Sequence, residues 1–394
     1  MDDSFYIEVF CEQKSHSQER ICGDVFVSRR VKEEGRTIVV LSDGMGHGVK
    51  ANMLATLTST MALNFTEEHK DVARIAEIIM NTLPVCSERK MSYSTFTIID
   101  IEHHGQTRIM EYDNPQTLIL RGGEEFQPNW QCVMLGGDQH SGKEILTCTF
   151  RPRKEDRIVF CSDGIPQSGM GSEKFPFGWG RDNMRDYVLK LVSDNPDVSA
   201  RHLAAKVVNL AHINDGYAPK DDTSCGVVYF REPRRLLLCT GPPIDEANDT
   251  VLASTVKEFK GSRILSGATT SDIVAREWKE SITDTFEFDD PDLPPVSSMP
   301  GIDLITEGIL TLTKVTDILR DYNPSYKLGK GPADRIVRML MESDEIHFLI
   351  GTRINEAHQD PSLPLDLEIR RTVVRRIARL LEEKFLKEVD VRFL

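Results

Sequence analysis

Four aspartates share one local setting, at the end of an apolar strand-like run and beside glycine or a second aspartate. They are Asp24 in Cys22-Gly23-Asp24, Asp43 in Ser42-Asp43-Gly44-Met45-Gly46-His47-Gly48, Asp163 in Ser162-Asp163-Gly164, and Asp221 in Asp221-Asp222-Thr223-Ser224. A strand end holds a carboxylate on a rigid frame and leaves it open to a cleft, while glycine lets backbone or ligand approach closely. Four converging carboxylates repel one another when bare. Two divalent cations would balance their charge, and hard ions such as Mg²⁺ and Mn²⁺ favour all-oxygen ligands. A metal pair can lower the pKa of a bridging water and clamp a phosphoryl group for in-line attack, with no nucleophilic side chain required. The competing reading makes each Asp a turn or cap residue. It suits a lone Asp-Gly well and suits four in this order and context poorly.

These pieces, together with an Asn114-Pro115 turn between two strands and Ser162-Asp163-Gly164-Ile165, resemble the metal-dependent protein phosphatases (PPM family), specifically the bacterial stage II sporulation E type. Asp43-Gly44-Met45-Gly46-His47-Gly48 is the most specific block, and the resemblance covers about residues 5–231. It implies an α+β fold, a sandwich of two antiparallel sheets flanked by helices, with the metals in a cleft at one edge. It further implies two or more Mn²⁺ or Mg²⁺ ions and hydrolysis of phosphoserine or phosphothreonine on a regulatory protein by a metal-bridging water. By resemblance Asp43 bridges both metals, Asp24 and the Gly44 carbonyl serve one, and Asp163 and Asp221 serve the other. Asp222 reaches the site through water or orients Asp221. Asp43, Asp24 and His47 are the catalytic candidates.

The chain also departs from the wider family. Met45 stands where many relatives carry a histidine that acts as general acid. His47, two residues on, either protonates the leaving oxygen or bonds to a loop carbonyl. Arg20 is a candidate for the substrate phosphate, with a surface role as the alternative. Thr223-Ser224 replaces the commoner Met-Thr. In sporulation-type relatives the helix pair after the metal loop takes part in activation. Here that pair is expected at about 49–64 and 71–83, where a helix shift would move a metal ligand.

The elements that must position these residues read as strands at Tyr6–Phe10, Val25–Val31, Thr37–Leu41, Tyr93–Ile101, Gln106–Asp113, Thr117–Arg121, Glu144–Phe150, Arg157–Cys161 and Cys225–Phe230. Further helices are expected at Arg181–Val192 and Ser199–Asn214. Strand runs set apart from helix pairs argue for a layered α+β domain over 1–231. Arg231-Glu232-Pro233-Arg234-Arg235 marks a boundary. Over 235–394, strands at Leu236–Cys239, Arg263–Leu265, Ile302–Ile305, Ile346–Ile350 and Val389–Phe393 alternate with helices, which argues for a smaller α/β domain with a mostly parallel sheet. The proline-bearing stretch Phe286–Pro300 reads as a loop.

In that second domain, Thr240-Gly241-Pro242-Pro243 and Ser266-Gly267-Ala268-Thr269-Thr270-Ser271 each follow a strand. Small residues at a helix start offer N–H groups and hydroxyls to an anion, which makes Gly241, Ser266, Gly267, Thr269 and Thr270 candidate ligand contacts. A plain strand-to-helix turn with a Ser or Thr cap is the alternative. Walker and Rossmann spacings are absent. A helix at Leu367–Leu386 carries Arg370-Arg371 and Arg375-Arg376, either for an acidic partner or as a solvated face. The expected role of the domain is small-molecule sensing or partner docking.

Bulk properties narrow the classes. The chain has 394 residues and a formal net charge of −14, against nucleic acid or an anionic membrane as partner. Its eight cysteines form no C-x-x-C pair, and the start has no signal-like run, so a cytoplasmic, reduced protein is expected. A homodimer is compatible with a regulated signalling enzyme. Two other functions stay open: a non-enzymatic partner-binding regulator on the phosphatase fold, and a C-terminal domain that carries the main activity.

Overall fold

The computed structural model describes residues 5–82, 94–134, 144–285, 289–323, 326–353, 366–385 and 387–394. Cys86, the helix end at Leu83, the strand start at Tyr93, the loop start at Phe286 and the helix end at Leu386 lie outside the described residues. The chain divides into two compact units, Met1–Glu232 and Pro233–Leu394.

In the first unit the strands are β1 (Tyr6–Lys14), β2 (Asp24–Val31), β3 (Arg36–Gly44), β4 (Ser94–Glu102), β5 (Thr107–Tyr112), β6 (Leu118–Arg121), β7 (Glu124–Glu125), β8 (Gln131–Met134), β9 (Glu144–Phe150), β10 (Arg157–Cys161) and β11 (Thr223–Arg231). The helices are α1 (Gly48–Glu67), α2 (Val72–Thr82), α3 (Gly164–Gln167), α4 (Arg181–Asp194) and α5 (Ala200–Asn214). Two antiparallel sheets form, in the orders β2-β3-β4-β5-β9-β8 and β1-β11-β10-β6-β7.

Alternation along the strands sets the layers. Ile38 and Val40 of β3 face Ala62, Leu63, Ile75 and Ile79 of α1 and α2. Val39 and Leu41 face the opposite sheet, packing with Ile158, Phe160, Val228 and Phe230. The outer face of that sheet, with Val159, Cys161 and Val227, buries Val188 of α4 and Leu203 and Val207 of α5. The result is a helix–sheet–sheet–helix sandwich. Arg36, 4% exposed, ties the end of α1 to the sheet by donating to the Thr66 carbonyl (3.0 Å) and to Asp100 (2.9 Å).

In the second unit β12 (Arg235–Thr240), β13 (Ser262–Ser266), β16 (Ile302–Thr306), β17 (Glu345–Ile350) and β18 (Glu388–Phe393) run parallel in the order β16-β13-β12-β17-β18. Two short strands, β14 (Thr283–Asp284) and β15 (Ser297–Met299), extend the β16 edge in antiparallel fashion. β15 falls inside the stretch read as loop, since a strand of three residues is too short to leave an alternation and the prolines lie on either side of it. Leu237 and Cys239 pack on α6 (Asp249–Glu258) and α7 (Ala268–Trp278). Leu236 and Leu238 pack on the other face with α8 (Ile309–Asp321), α9 (Pro332–Glu342) and α10 (Asp366–Glu383). The sheet is doubly wound, and its order reverses beside β12. Among the described residues no helix is long and apolar enough to cross a membrane.

Candidate metal centre

Antiparallel pairing of β2 with β3 places Asp24 directly opposite Asp43. The other sheet reaches the same place through two hydroxyls: Ser162 and Ser224 both donate to Asp24 Oδ2, at 2.7 and 2.5 Å. Ser162 follows β10 directly and precedes Asp163, and Ser224 is the second residue of β11, two after Asp222, so those bonds draw the remaining aspartates to one edge of the sandwich. Gln13 of β1 supports the arrangement by donating to the Ser224 hydroxyl (3.0 Å) and the Asp24 carbonyl (3.3 Å).

Three glycines permit the approach. A Cβ at Gly23 would sit 2.6 Å from Asp222 Oδ2, one at Gly164 would sit 2.2 Å from the Asp222 carbonyl oxygen, and one at Gly44 would sit 2.0 Å from the Ala51 carbonyl oxygen. At Gly44 and Gly164 the obstacle is backbone, so a side chain there would displace the chain itself, whereas at Gly23 it would push the Asp222 carboxylate aside. This is why Asp-Gly and Gly-Asp recur in the motifs.

The electrostatics show what the packing costs. Burial raises Asp43 far above the ordinary carboxylate range, and the charges of Asp24, Asp163 and Asp221 raise it further. Burial also raises Asp24, which the Ser224 and Ser162 hydroxyls partly offset and Asp222 and Asp221 reinforce. Asp221 is pushed up to about 6, chiefly by burial and by Asp163. Three buried carboxylate oxygens, Asp24 Oδ1, Asp163 Oδ1 and Asp222 Oδ2, have no hydrogen-bond partner. Orphaned acceptors on crowded anions are what a hard cation satisfies, so this donor set fits divalent metal ions. Among the described residues, no group of three or more His, Cys, Asp or Glu side chains stands in an arrangement that could hold a metal ion as it is.

His47 lies three residues beyond Gly44, and its Nδ1 meets the Glu19 carboxylate at 2.9 Å instead of a loop carbonyl. Arg20 is exposed in the neighbouring loop. Gln13, His16, Glu19 and the hydroxyls of Ser162 and Ser224 carry no motif signal of their own in the sequence. The two serines stood in the motifs as neighbours of aspartate, but serine beside Asp-Gly reads equally well as turn chemistry.

The second unit's candidates lie apart from the aspartates in sequence and sheet. Thr306, Ser266, Thr240 and Ile350 align across the carboxyl edge of the parallel strands. Ser266 is buried and donates to the Glu307 carbonyl at 2.9 Å. Thr270 is buried and Thr269 exposed. Gly267 meets Gly308 backbone to backbone, a Cβ on Gly308 falling 3.5 Å from the Gly267 Cα. Gly241 is buried beneath Arg370, whose Nη1 would lie 2.6 Å from a Cβ there.

The family model for stage II sporulation protein E (SpoIIE) matches residues 33–231, half of the chain. The chain belongs to the SpoIIE family. That match spans β3 to β11 and so contains Asp43, Asp163, Asp221 and Asp222, with Asp24 just before it. Among solved structures, the SpoIIE-family chain is similar to the phosphatase domain of SpoIIE from Bacillus subtilis in a crystal form without domain swapping. Identity is 15% and the TM-score 0.43, over 59% of this chain and 95% of that one. A second Bacillus subtilis SpoIIE structure, the PP2C phosphatase domain with a fragment of the regulatory domain, gives 16% and 0.47 over 58% of this chain and 64% of that one. RsbX in complex with magnesium gives 18% and 0.41 over 58% and 98%. Among curated proteins, no sequence matches the chain.

Proposed function

We propose that the first unit is a metal-dependent phosphatase that hydrolyses phosphoserine and phosphothreonine on a regulatory protein in bacterial signalling. The observation that carries this reading is the meeting of Asp24, Asp43, Asp163, Asp221 and Asp222 at one sandwich edge with three buried carboxylate oxygens unpartnered. SpoIIE-family membership supports it, and a magnesium complex is known for the similar RsbX.

Asp24, Asp43, Asp163, Asp221 and the Gly44 carbonyl would hold Mn²⁺ or Mg²⁺, with Asp222 beside them. When bound, the ions supply charge neutralisation and Lewis-acid polarisation of the phosphoryl group. The chain's own residues do the rest. Ser162 and Ser224 fix the rotamer of Asp24, and the glycines close the backbones around it. The rigid β2–β3 ladder keeps Asp24 and Asp43 in register, which limits reorganisation during the reaction. His47, at the rim, is the candidate proton donor to the leaving oxygen.

Manganese-dependent release of phosphate from p-nitrophenyl phosphate and from a phosphoserine peptide tests the reading. Its loss in a folded Asp43→Asn variant would tie turnover to this centre. Turnover that is indifferent to both metal and Asp43 would refute it.

For the second unit we propose a sensing or docking role that biases the phosphatase. The doubly wound order and the backbone contact of Gly267 with Gly308 at the carboxyl edge support it. A metabolite screen by thermal shift on the full chain, with no shift for any anionic metabolite, would count against a small-molecule role.

A further inference from the structure

The loop between β1 and β2 closes on the metal loop through residues outside every aspartate motif. His47 Nδ1 lies 2.9 Å from Glu19 Oε1. An ionised carboxylate only accepts hydrogen bonds, so Nδ1 carries the proton and Nε2 is the nitrogen left for other work. The His16 ring stacks on the His47 ring, centroids 4.6 Å apart and planes 11° apart. His16 is itself fixed at both ends: its Nδ1 accepts from the Gln18 amide at 3.2 Å, and its own amide donates to Asp222 Oδ1 at 3.0 Å. The Glu19 carboxylate lies over Gly48, where a Cβ would come within 2.6 Å of Oε2, so glycine makes room for it. His47 is thus held at its edge by Glu19 and on its face by His16. Because the His16 amide is bonded to Asp222, the stack also ties the His47 ring to the carboxylate edge.

We propose that Glu19 and His16 are positioning residues that hold His47 as the donor of the proton taken by the seryl or threonyl oxygen when the phosphoester breaks. The inference rests on the phosphatase reading above. In the step, a water oxygen forms the new bond to phosphorus and the bond from phosphorus to the side-chain oxygen breaks. The electron pair stays on that oxygen, which takes the proton from His47 Nε2. The attacking water gives up a proton to solvent, from which the imidazole is recharged, so ester and water yield alcohol and phosphate. The Glu19 carboxylate at Nδ1 fixes which ring nitrogen is left to face the leaving oxygen, and the stacked His16 ring fixes the plane in which it does so.

A seryl oxygen is a strongly basic leaving group and p-nitrophenolate a weak one, so a proton donor matters for the first and little for the second. The test is the ratio of kcat on a phosphoserine peptide to kcat on p-nitrophenyl phosphate, measured with manganese on the full chain. Glu19→Gln and His16→Ala are expected to lower this ratio about 10–100-fold, the size of a general-acid contribution. His16→Phe, which keeps the stacking plane, and Glu19→Asp, which keeps the charge, are expected to restore part of it. A second readout needs no metal: ¹⁵N NMR of neutral His47 is expected to show the proton on Nδ1, moving to Nε2 in Glu19→Gln. An unchanged ratio in both variants, equal loss on both substrates, or an unmoved His47 spectrum overturns the proposal. Absence of manganese-dependent turnover of either substrate by the unaltered protein overturns the phosphatase reading, and the proposal with it.

Discussion

Asp24 and Asp43 face each other across the β2–β3 ladder as its terminal pair. Like charges directly opposite on a sheet destabilise it, and burial compounds the effect at both. Asp43→Asn is therefore expected to do two opposite things. It abolishes manganese-dependent phosphate release, and it raises the melting temperature of the metal-free protein. Relief of a single buried like-charge contact is of order 1–2 kcal/mol, or several degrees for a unit of this size. Calorimetry with and without Mn²⁺ checks it: the metal-induced rise in melting temperature should shrink in the variant.

The paired serines predict a graded effect. Each hydroxyl on Asp24 Oδ2 favours the ionised carboxylate. Ser162→Ala or Ser224→Ala leaves the carboxylate in place but frees its rotamer and raises its pKa further. Weaker metal binding by about tenfold is expected, in the range for a partner that orients a ligand. Isothermal titration with Mn²⁺ measures it, and an affinity within twofold of the unaltered protein would show the serines to be packing alone.

Gly44 and Gly46 separate close approach from backbone conformation. A Cβ at Gly44 would lie 2.0 Å from a backbone oxygen of α1, whereas at Gly46 it meets nothing within 4 Å. Gly46 has φ of 93°, where an L side chain costs about 1–2 kcal/mol. Gly44→Ala is expected to unfold the first unit or destabilise it by roughly 4 kcal/mol or more. Gly46→Ala should lose only the smaller amount. Urea denaturation of the two variants makes the comparison.

The aspartates were legible in the sequence because the glycines that let the backbones touch sit beside them in the chain. The sandwich was legible because strand alternation and helix pairs are local signals. Ser162 and Ser224 escaped notice because their work on Asp24 is done across 138 and 200 residues of chain. His16 and Glu19 lie in a loop with no periodicity, and only the folded chain brings them to His47. Gly241 had the composition of an open phosphate loop, but the Arg370 guanidinium, far off in sequence, lies over it. β7 and β14, two residues each, are too short to leave a pattern.

The carboxylate cluster also sets a pH dependence for metal binding. Asp221 is raised to about 6 in the fold, so the folded protein holds a proton that the unfolded chain releases above about pH 4. With more protons bound in the native state, metal-free stability falls as pH rises from about 4 through 6. Cations compete with those protons, so the Mn²⁺-induced rise in melting temperature is expected to grow from about pH 5 to about pH 7.5. A flat or falling metal effect over that interval would mean that the raised carboxylates are not the ligands.

Glu111 isolates the same physics away from the metal centre. It is 2% exposed on β5, and the Thr117 amide donates to Oε1 at 2.7 Å while Oε2 has no partner. Burial raises it to about 7, against the hydrogen bond from Thr117 and the Arg181 charge, which lower it. The folded state therefore keeps this carboxyl protonated over a window in which the unfolded chain ionises. Its contribution to stability is full below about pH 4.5 and is lost as pH rises through about 7. Glu111→Gln keeps the acceptor for the Thr117 amide and cannot ionise. Its stability relative to the unaltered protein should be near neutral at pH of about 4 and should improve to a gain of order 3 kcal/mol above about pH 7.5. Urea unfolding of both proteins across that range reads the difference directly, and parallel curves would show that Glu111 titrates normally in the fold.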